Sequence, residues 1–146
     1  MSGITCTDNC VEQFNVFKMQ NSKRGAVKRA YIIFRIQDEK IVIKEEGAED
    51  ASWDDFVQTL MSDDKDGAFG LFDFKVKTDD GRELAKIVFV SWTPDSGLPI
   101  RKKMLYGSSR EAFKSQLGSG IAYTIQATDL SDLDGDDVTN MVKKGR

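Results

Sequence analysis

The stretch LAKIVFVSW, residues 84–92, decides the fold. A strand with one wet face alternates apolar and polar side chains, whereas IVFVSW is apolar or uncharged on both faces. It therefore belongs in the interior of a sheet that helices cover on both sides. Before it comes AFGLFDFKVK, residues 68–77, and the two are joined by Thr78-Asp79-Asp80-Gly81, whose Asp-Gly step marks a tight hairpin. Further out, AYIIFRI and KIVIKEE are short β-branched runs around the charged turn Gln37-Asp38-Glu39, which predicts a second hairpin. AYTIQA, residues 122–127, is a last strand reached after a long helix, and such a crossover predicts parallel pairing with an earlier strand.

Helices follow from periodicity and capping residues. Asp8 or Asn9 can cap a first helix that presents Val11, Phe14 and Phe17, with Cys10, and runs to about Met19. Ser52 caps WDDFVQTLM, with Asp54 and Asp55 at the positive end of the helix dipole and Trp53, Phe56, Val57 and Leu60 facing the core. DVTNMVKK is a short final helix, acidic first and basic last. The longest helix is IRKKMLYGSSREAFKSQL. Wound at about 100° per residue, it gathers Leu105, Tyr106, Ala112, Phe113 and Leu117 onto the sheet side. Lys103, Arg110 and Lys114 then align as a basic stripe, and Met104 falls outside the apolar arc. A charge run is ordinarily a solvated face. Here Arg101, Lys102, Lys103, Arg110 and Lys114 face one acid, Glu111, in a chain of net charge -3. A flexible methionine displayed among them is what an adaptable protein-binding surface uses.

Composition removes other classes. A chain of 146 residues matches one domain, its 40% hydrophobic and 31% charged content is that of a soluble globular protein, and no apolar run approaches the ~20 residues of a membrane span. The start, MSGITCTDNC, has no basic or apolar leader region, so the expectation is a cytosolic chain with Cys6 and Cys10 as buried or half-buried free thiols. With no histidine and no second cysteine pair, neither a zinc site nor a His-based nucleophile pair can be assembled. SDDKDG, residues 62–67, and DLDGDD, residues 132–137, look calcium-like, but the first offers only Ser62 at position 1 and the second has Leu130 at 1 and Met141 at 12; both read as loops. Neither glycine-rich phosphate fingerprint occurs, so no cofactor and no enzymatic activity are expected. A pI near 5.0 with no aromatic-interleaved basic groove argues against nucleic acid. NSKRGAVKR reads as a solvated loop before it reads as a nuclear import signal.

At WTPDSGLPIRKKMLYGSSREAFKSQL the chain strongly resembles the actin depolymerising factor and cofilin family, with its pattern W-x-P-D-x-A-P-x-[KR]-x-K-M-x-Y-x-S-S-[KR]. Agreement extends to Ser2-Gly3-Ile4, Asn9-Cys10-Val11, Phe14-Asn15, Phe72-Asp73 and Gln126-Ala127-Thr128-Asp129, in order over essentially the whole chain. The resemblance implies one homology domain over residues 1–146, an α/β fold with a five-stranded mixed sheet flanked by helices on both faces. It implies binding of actin monomers, ADP form preferred, through Ser2, Gly3, Ile4, Arg101, Lys103 and Met104, with Arg110 and Lys114 peripheral. A second, filament-binding surface falls on Arg82, Lys86, Lys143 and Lys144. Leu84, Asn140 and Met141 stand where charged residues are common in the family, so filament binding and severing are expected to be reduced. The loop PDSGLPI is one residue longer than the common form, which bears most on Arg101. Ser2 matches a regulatory phosphorylation position that a kinase would use, and membrane phosphoinositides are a further partner class for the basic surface. The chain is expected to be monomeric. The alternative reading is a phosphoinositide-binding or purely monomer-sequestering regulator with little filament activity.

Overall fold

A computed structural model describes residues 4–20, 28–63 and 65–143. In chain order the elements are β1 (Thr5–Cys6), α1 (Asp8–Met19), β2 (Arg29–Gln37), β3 (Lys40–Ala48), α2 (Trp53–Leu60), β4 (Ala68–Lys77), β5 (Glu83–Trp92), α3 (Ile100–Leu117), β6 (Ile121–Ala127) and α4 (Gly135–Lys143), with a 3-10 turn at Leu130–Leu133. They form one mixed sheet in the order β1-β3-β2-β4-β5-β6. β2, β3, β4 and β5 pair antiparallel, and β5 pairs parallel with β6 as the crossover through α3 requires. The sheet has six strands where five were expected. The extra one is the two-residue β1, which lies parallel to Lys40 and Ile41 and is too short to leave any period-2 pattern.

β5 occupies the interior, and its alternating side chains enter two different cores. Val88 and Val90 face a cluster with Trp53, Phe56 and Leu60 of α2 and Val138 and Val142 of α4. Ile87 and Phe89 face the other, with Phe14 and Phe17 of α1 and Tyr106, Phe113 and Leu117 of α3. Helices on both faces thus explain why this strand carries no polar side.

Local chemistry sets most element boundaries. Ser52 accepts from the Asp55 N–H at 3.1 Å while the Asp55 carboxylate accepts from the Ser52 N–H at 3.0 Å, a complete capping box for α2. The first helix begins one residue earlier than the sequence suggests: Thr7 is its cap and Asp8 lies in its first turn. DLDGDD is not a loop, because Asp134 accepts from the N–H groups of Asp136 and Asp137 and so starts α4 within the motif. On α3, Ala112 is exposed, Leu105 is half-buried and Ser109 is fully buried; the helix settles on the sheet through Tyr106, Ser109, Phe113 and Leu117 instead. The bulk of Phe113, wedged among Phe34, Phe69 and Phe89 at ring distances of 5.0 to 5.9 Å, fixes that rotation. Cys10 is buried and Cys6 half-buried, both as free thiols.

Candidate functional site

The start of α3 is the site the sequence singles out. Gly97 takes a φ of 86°, which other residues resist, Leu98 is buried, and Pro99 precedes the first helical turn. That turn is pinned from beneath. The Tyr106 hydroxyl donates to Asp66 Oδ1 at 3.0 Å and accepts from the Ile36 N–H at 2.9 Å, joining the helix to the β4 approach and to β2 at once. Burial, chiefly, pushes the Tyr106 phenol well above its ordinary range, so it stays a donor. Lys102 Nζ lies 3.3 Å from the same Asp66 oxygen, and Lys103 Nζ donates to the Asp95 carbonyl at 2.8 Å.

With Lys102 drawn down to Asp66, the outward face holds Arg101, Lys103 and two apolar side chains. Ile100 is 75% exposed and Met104 67%, more than any other large hydrophobic side chain among the described residues. They stand one helical turn apart, so they share a face. Ile100 is the residue that the sequence reading missed. Its position four before Met104, at the start of the same expected helix, was the available signal.

The basic stripe is shorter than the spacing suggests. Arg110 turns toward the sheet: with the Gln126 amide oriented so that its oxygen faces the helix, that oxygen accepts from both terminal guanidinium nitrogens at 2.8 Å. Its Nε also approaches Glu111 at 3.5 Å. Lys114 Nζ sits 6.0 Å above the Phe89 ring. Ile4 is 5% exposed and belongs to the α1/α3 core, so its side chain anchors the amino-terminal segment rather than facing outward. The Cys6 N–H donates to Gln116 Oε1 at 3.2 Å, strapping that segment beside α3. Ser2 and Gly3 lie outside the described residues.

The second residue set lies at the β4–β5 hairpin and on α4, across the sheet from α3. Arg82 is exposed and pairs with Asp80 at 3.0 Å, Lys86 is half-buried and Lys143 exposed. Lys144 lies outside the described residues. Leu84 and Met141 are half-buried against the α2/α4 core, which is why they are apolar, while Asn140 is exposed. Among the described residues no group of three or more His, Cys, Asp or Glu side chains could hold a metal ion. What the arrangement can do is dock a partner: an apolar pair flanked by cations fits an apolar cleft rimmed by acids.

Comparison with known proteins agrees. The family model described as cofilin/tropomyosin-type actin-binding protein matches residues 3–143. Actophorin of Acanthamoeba castellanii is 34% identical over 146 residues, covering 99% of this chain and 98% of its own. A Streptomyces griseoflavus cofilin crystal structure superposes with a TM-score of 0.79 at 29% identity, covering 99% of this chain and all of that one. The ADF/cofilin solution structure from Trypanosoma brucei gives 0.74 at 36% identity, covering 100% and 98%. The chain belongs to the family of cofilin/tropomyosin-type actin-binding proteins.

Proposed function

We propose that the chain binds actin, holding monomers at the start of α3 and promoting filament disassembly and turnover, with the ADP form preferred. The observation that carries this reading is the exposed Ile100 and Met104 pair beside Arg101 and Lys103, on the helix that bears the family pattern. Relatives named actophorin, cofilin and actin-depolymerizing factor support it. Lys103 and Arg101 steer encounter with an acidic surface, and the apolar pair excludes water and slows dissociation. Arg110 and Lys114 act at the periphery, Ser2 and Gly3 are further monomer contacts, and Ile4 supports them from the core. Arg82, Lys86, Lys143 and Lys144 contribute filament contacts, reduced in strength because Leu84 and Met141 belong to the core cover. The protein works as a cytosolic monomer of one domain, and phosphoinositides compete for the same basic surface as a secondary role.

Co-sedimentation with ADP-actin filaments, beside a monomer titration, tests the reading on wild type, Ile100→Ala and the Lys103→Ala/Met104→Ala double variant. Tenfold or weaker monomer binding in both variants is expected, since truncating a central interface anchor costs about 2 kcal/mol or more. Wild-type-like affinity in the double variant would move the site elsewhere. Ser2→Asp should weaken monomer binding tenfold or more through added negative charge; unchanged affinity would remove the phosphorylation switch.

A further inference from the structure

The first turn of α3 forms against its local chemistry. α2 and α4 each place two acids in their first turn, at the positive end of the helix dipole, whereas α3 places none there. It sets Arg101, Lys102 and Lys103 at that end instead, and Pro99 makes no side-chain cap. Cations at the positive end and a missing cap both favour fraying. Yet this turn carries Ile100 and leads into Met104, and only helix holds those two side chains on one face. The turn is formed, with the Lys102 and Lys103 amides bonded to the Pro99 carbonyl at 3.0 and 3.1 Å. What offsets the cations lies elsewhere in the chain.

Asp66, just before β4, is placed to do so. Its side chain is only 11% exposed, and its Oδ1 receives both the Tyr106 hydroxyl at 3.0 Å and Lys102 Nζ at 3.3 Å. Lys102 and Tyr106 are four residues apart, so one carboxylate oxygen ties successive turns of α3 to the sheet. At about 100° per residue Lys102 lies about 40° from Tyr106 and about 160° from Met104, which puts it on the sheet side of the helix and away from the docking face. The motif quoted for this stretch leaves position 102 unspecified, so the tether arises from this chain's own residue there. We infer that Asp66 is a positioning residue for docking: through Lys102 it keeps the first turn of α3 helical, so that Ile100 and Met104 share one face before a partner arrives. This role depends on the docking function given to that face. A frayed turn leaves only a fraction of molecules competent, and the apparent affinity falls by that fraction. Because a half-exposed ion pair is a weak bond, the effect is modest.

The test uses the full chain with Asp66→Asn and Lys102→Met, singly and together, and actin-monomer binding followed by stopped flow at about 0.15 M salt. The asparagine keeps an acceptor for the Tyr106 hydroxyl and removes the charge that holds Lys102. Charge steering alone predicts opposite signs, since Asp66→Asn makes the chain more positive and Lys102→Met less so toward an acidic partner. Positioning predicts the same sign. Each single variant should weaken affinity about threefold or more, chiefly through slower association, and the double variant should match the weaker single one within about twofold. Hydrogen exchange at the Lys102 and Lys103 amides should quicken about fivefold or more while residues 113–117 of the same helix keep their wild-type rates. Unchanged or tighter binding by Asp66→Asn, additive losses in the double variant, or equal acceleration along all of α3 would each overturn the inference. If Asp66→Asn fails to fold, Lys102→Met decides: weaker binding without faster exchange at the first turn would make Lys102 a direct contact and refute positioning. No monomer binding by the wild type would overturn the docking function itself and this role with it, whereas normal wild-type binding beside unaltered variants overturns the role of Asp66 alone.

Discussion

Removing one oxygen atom, with Tyr106→Phe, should measurably loosen the base of α3. The hydroxyl makes two bonds from a ring only 1% exposed, donating to Asp66 at 3.0 Å and accepting from the Ile36 N–H at 2.9 Å. A hydrogen bond to a charged group contributes about 1.5–3 kcal/mol, a neutral one about 1. Asp66 keeps Lys102 at 3.3 Å, and the half-buried Ile36 amide can recruit water, so the lower part of each range applies. The sum is about 2.5 kcal/mol. With ~2.1 cal/mol/K of unfolding entropy per residue, 146 residues give about 0.3 kcal/mol/K, hence a fall in Tm of about 8 °C. Urea unfolding followed by Trp fluorescence reads the free energy directly, and an unchanged m-value would show that only stability moved. The ring contacts with Phe69 survive in the variant, so packing loss does not confuse the result. A loss below about 0.5 kcal/mol would refute the view that this hydroxyl joins α3 to the sheet.

Other substitutions probe different forces. Asp38 and Glu39 both adopt left-handed conformations, φ 52° and 63°, in the β2–β3 turn, so Glu39→Gly should stabilise by roughly 0.5–1 kcal/mol, seen as a higher urea midpoint. The Ser109 hydroxyl is buried with no partner among the described residues, and Ser109→Ala should be neutral or stabilising by up to about 1 kcal/mol; a loss above that would reveal a hidden bond, for instance to a trapped water. Ser52→Ala removes half of the α2 capping box and should cost about 1 kcal/mol in the same assay. Burial, and next the neighbouring Cys10, pushes the Cys6 thiol up from 9.0 to about 11. Because the folded chain holds this proton more tightly than the unfolded one, the associated stability is complete below pH 9 and disappears as pH climbs to 11. Cys6→Ser should flatten the alkaline limb of a stability profile measured over that span, and an unchanged limb would assign the loss to other groups.

The two-sided apolar character of β5, the Ser52 cap, the Asp-Gly hairpin and the parallel return through α3 were all legible in the residues themselves. The first three depend on neighbours two to four positions apart, the range over which side-chain alternation and capping chemistry act, and the parallel return follows from the length of the crossover. The basic and apolar residues at the start of α3 were legible for the same reason, apart from Ile100.

What the tertiary structure alone decided involves partners far along the chain. β1 exists because two residues of extended chain find Lys40 and Ile41, and its Cys6 amide finds Gln116, 110 positions away. Arg110 and Lys114 share a helical stripe with Lys103 by spacing, yet the Gln126 amide and the Phe89 ring draw them inward, leaving the outward site to Arg101, Lys103, Ile100 and Met104. Leu84 and Met141 look like lost charges in the sequence and prove to be core cover, since β5 and α4 bring them against the core cluster that holds Val88 and Val138. A side chain's periodicity states which face it can occupy; which groups wait on that face is settled by the packing of the whole chain.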